Sequence, residues 1–246
     1  MKRSHLIAAV AIFAASLLVP MVVRTDYVLQ ILFRIYLFAA LGLAWNLVGG
    51  FAGQLSLGHA AYFGAGAYGL ALFAGKLGMS PWLAVLMGVV TALACALLIG
   101  GVSFRLRGPY FALATIAFAE VLRLIAKNLA DVTGGDVGVQ VPALFHGEVN
   151  RNFYWAAVVL SALAYATTVA ISRARFGYYL LAIREDEDTA LSVGIGAAKN
   201  KLGSLLVSAV LTSLAGSLYA SIFLYIVPDQ VLSLDVSNEI AIVAML

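Results

Sequence analysis

The stretch Ser172-Arg-Ala-Arg-Phe-Gly-Tyr-Tyr-Leu-Leu-Ala-Ile-Arg-Glu-Asp-Glu-Asp-Thr-Ala-Leu-Ser-Val-Gly-Ile-Gly-Ala-Ala-Lys-Asn-Lys201 decides how the chain is read. Apolar sequence flanks it on both sides. It holds nine of the 27 charges: Arg173, Arg175, Arg184, Glu185, Asp186, Glu187, Asp188, Lys199 and Lys201. It is too polar to lie in lipid and too patterned to be a slack linker. Four acids, Glu185 to Asp188, precede Thr-Ala-Leu-Ser-Val and then Gly194. Acids in a first turn suit the positive end of the helix dipole, and a glycine suits a left-handed stop. The spacing predicts a short helix over 184–194. Leu180, Ile183, Ala190 and Leu191 fall on one stripe, so the loop is expected to be folded and to dock on something.

Composition sets the class around this loop. The chain has 246 residues, is 63% hydrophobic and 11% charged, and has a mean hydropathy of +1.00. Soluble domains are about half apolar and a quarter charged. The expected fold is therefore all-α, a polytopic helical membrane protein whose spans each need ~20 apolar residues. Cys95 is the single cysteine, which excludes an internal disulfide and a cysteine-based metal site. His5, His59 and His146 are far apart in sequence, so no metal site is visible. The net charge of +3 sits in loops, and no basic patch interleaves with exposed aromatics, so nucleic acid is not a partner.

Taken in order, Leu6 to Val23 forms an apolar run after Lys2 and Arg3. A signal peptide would need a shorter core and a small-x-small cleavage site. None precedes Arg24, so an uncleaved first span is expected. Tyr27 to Val48 is the second span. Arg34 lies inside it, either snorkelling toward the headgroups or partnering a buried acid; snorkelling is the preferred reading. Gly49 to Tyr68 carries six glycines in twenty residues, which disfavours an uninterrupted helix. The apolar run after it, Ala60 to Gly75, is short for a span, so part of 49–58 must enter the membrane. Irregular backbone at that depth survives only against protein or water. Short, glycine-interrupted segments point to a transporter's substrate path. Gly53, Gln54, Ser56, Gly58, His59 and Tyr62 are the candidate path residues. The competing reading is close helix packing through Ala60/Gly64 and Ala65/Gly69. His59 alone reads as a capping or hydrogen-bonding residue rather than a ligand. The closing Gly-Lys-Ser/Thr of a phosphate-binding loop is missing.

Trp82 to Gly101 is the fourth span, opened by Pro81. Pro109 suits a first helical turn, so the fifth runs from about Tyr110 to Lys127. Glu120 and Arg123 lie on one face of it. An acid within a span is a functional candidate by default; an ion pair with Arg123 near the outer interface is the plainer reading and is preferred. Leu129 to Asn152 is a long polar loop expected outside. Phe153 to Ile171 and Leu202 to Ile226 are spans six and seven, the latter with small residues such as Ser208, Ser213 and Gly216 for packing. After an outer loop, 228–238, Glu239 to Leu246 is too short to span. About eight spans are expected, the last one truncated, in a single transmembrane domain over 1–246 that carries the 172–201 loop. With the N-terminus inside, the inner loops hold nine basic residues (Lys2, Arg3, Arg105, Arg107, Arg173, Arg175, Arg184, Lys199, Lys201). The outer loops hold four (Arg24, Lys76, Lys127, Arg151), which satisfies the positive-inside rule.

Three stretches resemble one family. Ala182-Ile-Arg-Glu185 with Glu187, Ala190 and Gly194 is similar to the cytoplasmic loop of LivM-type permeases of branched-chain amino acid ABC importers. Thr189 stands where that pattern usually has Ala, and Asp188 is more polar than usual. Gly49 to Tyr68 resembles the family's glycine-rich signature, and Arg105-Leu-Arg-Gly-Pro-Tyr-Phe-Ala-Leu-Ala-Thr-Ile-Ala-Phe-Ala-Glu120 is similar almost throughout to a further stretch of the family. The resemblance implies an inner-membrane permease subunit with its N-terminus in the cytoplasm. It implies a heterodimer with a second permease subunit, two ATPase subunits and a periplasmic substrate-binding protein. Transport would proceed by alternating access. Arg184, Glu185, Asp186, Glu187, Ala190 and Gly194 would form the coupling helix gripped by an ATPase. ATP and magnesium would sit on the partner subunits; this chain would bind no cofactor and have no catalytic residue. Branched-chain amino acids are the implied substrate, with urea or short amides as the alternative within the family. A secondary transporter is the rival outside it, disfavoured because Glu120 is the one internal acid of the first seven spans; a purely structural membrane protein, with no path at all, is a second.

Overall fold

Backbone in hydrocarbon must pair its own N–H and C=O groups, which leaves helices as the means of crossing. The computed structural model describes residues 3–246 apart from 24, 105 and 107, and the backbone alone for residues 3–10, 22 and 149. Lys2, Arg24, Arg105 and Arg107 of the charge count, and most of the arginine-flanked start of the third motif, therefore lie outside the described residues. Helices α1 (Arg3–Val22) and α2 (Asp26–Asn46) open the chain, and α2 runs into a π-helical turn, Leu47–Phe51. Residues 52–58 are not helical. Helix α3 (His59–Leu70) follows and continues into a second π-helical turn, Ala71–Lys76. Then come α4 (Pro81–Ser103), α5 (Pro109–Asn128), the single turn α6 (Ala130–Thr133) and strand β1 (Val139–Gln140). Helices α7 (Val149–Arg173), α8 (Arg175–Glu185), α9 (Glu187–Ser192) and α10 (Ala197–Phe223) complete the middle of the chain. Strand β2 (Tyr225–Ile226), α11 (Pro228–Val231) and α12 (Leu234–Met245) end it. Pro81 and Pro109 both stand in the first turn of their helices, where a missing N–H costs nothing.

Among the described residues, five helical stretches are long and apolar enough to cross a membrane: 26–51, 81–103, 109–128, 150–173 and 197–223. These five do not reach the expected eight; α1 is twenty residues long and is apolar over 11–21, where its side chains are described, and α3 is twelve residues long. Helix α12 begins at Leu234, earlier than the apolar run from Glu239 indicates, because polar Asp235, Ser237 and Asn238 are taken into its first turns.

The core is built on α3 and α10. Every residue of α3 except Ala65 is buried. Backbones approach closely where glycine removes the side chain. A Cβ on Gly66 would stand 2.0 Å from the Ser213 carbonyl, and one on Gly216 would stand 2.0 Å from that of Phe63. On the other side of α3, a Cβ on Gly69 would lie 2.3 Å from the Gly88 Cα of α4. The packing glycine facing α10 is therefore Gly66 rather than Gly64, which meets Leu232 instead. Helix α7 packs on α2, and α1 is tied to it by the Tyr154 hydroxyl, which donates to the Ser16 carbonyl at 2.7 Å.

The bundle has two unlike ends. One carries residues 172–201. At the other, 129–148 is not a slack loop: β1 pairs antiparallel with β2, Val139 opposite Ile226 and Gln140 opposite Tyr225. Here α10 stops at Phe223, short of the expected Ile226, because Leu224 turns left-handed at φ 58 and the chain enters β2.

Candidate functional site

The interruption between α2 and α3 is a buried polar node. Leaving helix at Gly53, which takes φ 65, frees backbone groups that must find partners. Each comes from a different helix. The Trp45 indole of α2 donates to the Ser56 carbonyl at 2.7 Å. The Leu57 N–H donates to Thr115 Oγ1 of α5 at 3.1 Å. The Ala60 N–H, in the first turn of α3, donates to Ser237 Oγ of α12 at 2.9 Å. His59 stands between two hydroxyls: Ser56 Oγ lies 3.1 Å from Nδ1 and Ser208 Oγ of α10 lies 2.9 Å from Nε2. A neutral imidazole donates at one nitrogen and accepts at the other, so it serves both. Ser56, His59, Thr115, Ser208 and Ser237 are all buried. Gly58 belongs here because a Cβ would stand 2.7 Å from the Thr115 carbonyl.

The six sequence candidates do not gather in one chamber. Ser56, Gly58 and His59 form the node. Gly53 and Gln54 lie toward the end that carries the 172–201 loop, where Gln54 Nε2 makes a local 3.4 Å bond to the Ala52 carbonyl. Tyr62, a turn beyond the node, packs edge-on against His59 with ring centres 5.6 Å apart. Its buried hydroxyl has no hydrogen-bond partner among the described residues. At the opposite end, a cavity of about 260 Å³ is lined by Phe38, Phe63, Tyr219, Asp229, Gln230, Ser233, Asp235, Val236 and Glu239. None of the six lines it. Thr115, Ser208 and Ser237 escaped the sequence reading because a lone hydroxyl residue in an apolar helix also serves simple packing.

The charged loop folds as two helices, not one. Arg184 and Glu185 end α8, and Asp186 is extended at φ −157. Asp186 Oδ1 accepts the Thr189 N–H at 2.8 Å and so caps α9. That backbone N–H holds the Asp186 carboxyl below the usual carboxylate range. The predicted helix over 184–194 is therefore shortened to Glu187–Ser192, because an aspartate able to cap starts a helix rather than continuing one. Gly194 follows at φ 85. The apolar stripe also differs. Ile183 and Ala190 are buried with Ala197 in this chain's own cluster, Leu180 is buried as well, and Leu191 and Val193 remain 46% and 71% exposed. Lys201, only 1% exposed, pairs with Glu187 at 2.7 Å. Arg184 Nη1 donates to the Gly50 carbonyl at 3.0 Å.

Glu120 and Arg123 form an ion pair near the end of α5, as the plainer reading has it; Arg123 Nε donates to Glu120 Oε2 at 3.0 Å. Arg123 also pairs with Asp229, and Lys127 bridges Asp229 at 2.9 Å and Asp136 at 3.0 Å. Lys127 first, then Arg123, holds the Asp229 carboxyl below its ordinary range. This cluster fastens α5 to α11. Arg34 lies over the Phe223 ring, 5.3 Å from its centre.

A bundle of long apolar helices around an interrupted one, with the interruption satisfied by buried side chains, is a construction that suits a multi-pass membrane protein. The chain belongs to the family described as branched-chain amino acid transport system / permease component, whose model matches residues 27–246. It is 29% identical over 237 residues to the high-affinity branched-chain amino acid transport system permease protein LivM of Escherichia coli (strain K12), covering 85% of this chain and 56% of that one. The corresponding LivM of Salmonella typhimurium (strain LT2) is 28% identical with the same coverage. A probable branched-chain amino acid transport permease protein LivM of Methanocaldococcus jannaschii is 24% identical over 144 residues, 55% of this chain and 42% of that one. The chain thus spans about half the length of the bacterial relatives. No solved structure gives a significant match. The relatives are named as permeases, a role in passage rather than catalysis.

Proposed function

We propose that this chain is a permease subunit of an ABC importer that moves branched-chain or related amino acids across the inner membrane. It pairs with a second permease subunit and works with two ATPase subunits, which hold ATP and magnesium, and a periplasmic substrate-binding protein. The observation that carries the reading is α9. It is a short helix capped by Asp186, stopped by left-handed Gly194, and seated on α8 and α10 through Ile183, Ala190 and Ala197. A seat this firm leaves the outward residues Leu191 and Val193 as a peg for a groove on an ATPase subunit. Residues 186–194 are the docking element in this reading. Nine basic residues against four support a cytoplasmic position for it, on the same side as the N-terminus. The polar node at Ser56, Gly58 and His59 lies on the substrate path, whose two sides open alternately.

The test is uptake by the tagged chain purified with its accompanying subunits and placed in vesicles. Uptake that requires both ATP and the binding protein is expected. Gly194→Val forces a branched side chain into a left-handed conformation, costing about 1 kcal/mol or more, and ATPase copurification should fall. Gly58→Leu should stop uptake while copurification persists. Undiminished copurification with Gly194→Val and normal uptake with Gly58→Leu would leave the loop a solvated connector and the break ordinary packing.

A further inference from the structure

Contacts from α8 and α10 reach both sides of the non-helical segment 52–58. At one end Arg184 closes α8. Its Nη1 donates to the Gly50 carbonyl at 3.0 Å, and its Cγ would stand 2.5 Å from a Cβ on Gly53. Gly53 thus leaves room for the arginine stem as well as taking φ 65. At the other end His59 is bonded to Ser208 of α10 at 2.9 Å. Helices α8, α9 and the start of α10 are locked together by the Ile183, Ala190 and Ala197 cluster and by the Lys201–Glu187 pair. A buried ammonium that loses its partner is strongly unfavourable, so such a pair fixes position even where its net stabilisation is small. Gly50 lies in a π-helical turn, Leu47–Phe51, that precedes Gly53; such single turns are frequent at functional sites and at helix kinks.

Resting on the reading of residues 186–194 as the ATPase contact, we propose that Arg184 and Lys201 are positioning residues. They make α8, α9 and α10 one lever that grips both ends of segment 52–58, so that a displacement of the loop moves Gly50–Gly53 and His59 together. Arg184, whose guanidinium is shared between the Gly50 carbonyl and Glu185 at 2.9 Å, then acts on the path of its own subunit rather than on the ATPase.

The test uses the complete transporter in vesicles and reads three quantities: copurified ATPase, hydrolysis stimulated by the loaded binding protein, and substrate moved per ATP hydrolysed. In Arg184→Gln, copurification and hydrolysis should hold while substrate per ATP falls about ten-fold, the size expected for losing one hydrogen bond from a charged donor. Arg184→Lys keeps the stem and a charged donor and should recover part of the ratio, which a merely structural role would not distinguish. Lys201→Met should lower the same ratio. A wild-type ratio in Arg184→Gln, measured beside an active wild-type transporter, overturns the lever. Loss of ATPase from Arg184→Gln, with the chain itself present in wild-type amount, makes Arg184 a docking residue and also overturns it. A wild-type complex that does not couple hydrolysis to uptake sinks the reading of function instead.

Discussion

Asp186 sets a boundary that helix propensity does not. Four consecutive acids look alike in sequence, yet they take three positions: Glu185 ends α8, Asp186 caps, and Glu187 and Asp188 enter the first turn of α9. Only Asp186 combines an extended backbone with a carboxylate at the Thr189 N–H. That bond holds its carboxyl below the ordinary range. The cap's contribution is fully present above the ordinary aspartate value of ~3.9 and is lost as pH falls through the lowered one. Amide exchange at Thr189 in the purified chain should therefore stay slow to below that ordinary value and then quicken. Asp186→Asn should keep protection and lose the pH dependence, and Asp186→Ala should lose protection throughout. A Thr189 amide equally protected in Asp186→Ala would show that the bond does not order α9. The acids and Gly194 were legible as a helix signal, but which acid caps was not, because that depends on where α8 ends.

At the scale of the element, α3 starts inside the bundle with an N-terminus that needs an outside partner. Ser237, 177 residues further along the chain, supplies it by accepting from the Ala60 N–H. Ser237→Ala leaves that buried donor unpaired, which costs about 1–3 kcal/mol. Thermal unfolding of the detergent-purified chain should show a lowered midpoint, with Ser237→Thr close to wild type; an unchanged midpoint in Ser237→Ala would mean that α3 does not depend on α12. The break itself was readable, since glycine density and a short apolar run are local properties. Its partners were not. Thr115, Ser208 and Ser237 sit in helices that read as apolar packing surfaces, and only their convergence on 56–60 marks them.

For the whole molecule, the two ends of the bundle differ in build, and the proposed topology puts the 172–201 end in the cytoplasm and the β1–β2 end outside. Val193 is 71% exposed beside Gly194, and Val137 is 78% exposed beside the β1–β2 pair. In a Cys95→Ala background, an impermeant thiol reagent added to intact spheroplasts should label Val137→Cys and spare Val193→Cys until the membrane is opened. The reverse pattern would invert the topology and remove any cytoplasmic ATPase from the reach of α9.

Hydropathy, glycine spacing and charge placement act over a few residues, so the sequence by itself determined the helical membrane class, the break near Gly53 to Gly58 and the folding of the polar loop 172–201. Tertiary structure alone decided which surfaces the loop shows. The stripe at Ile183 and Ala190 turned inward onto Ala197, because α8 and α9 fold back on α10 around Lys201 and Glu187. It also decided that 129–148 is anchored, since β1 needs β2 from 85 residues further on. Hydrogen bonds and ion pairs between distant segments depend on relative position in space, and no local pattern encodes that.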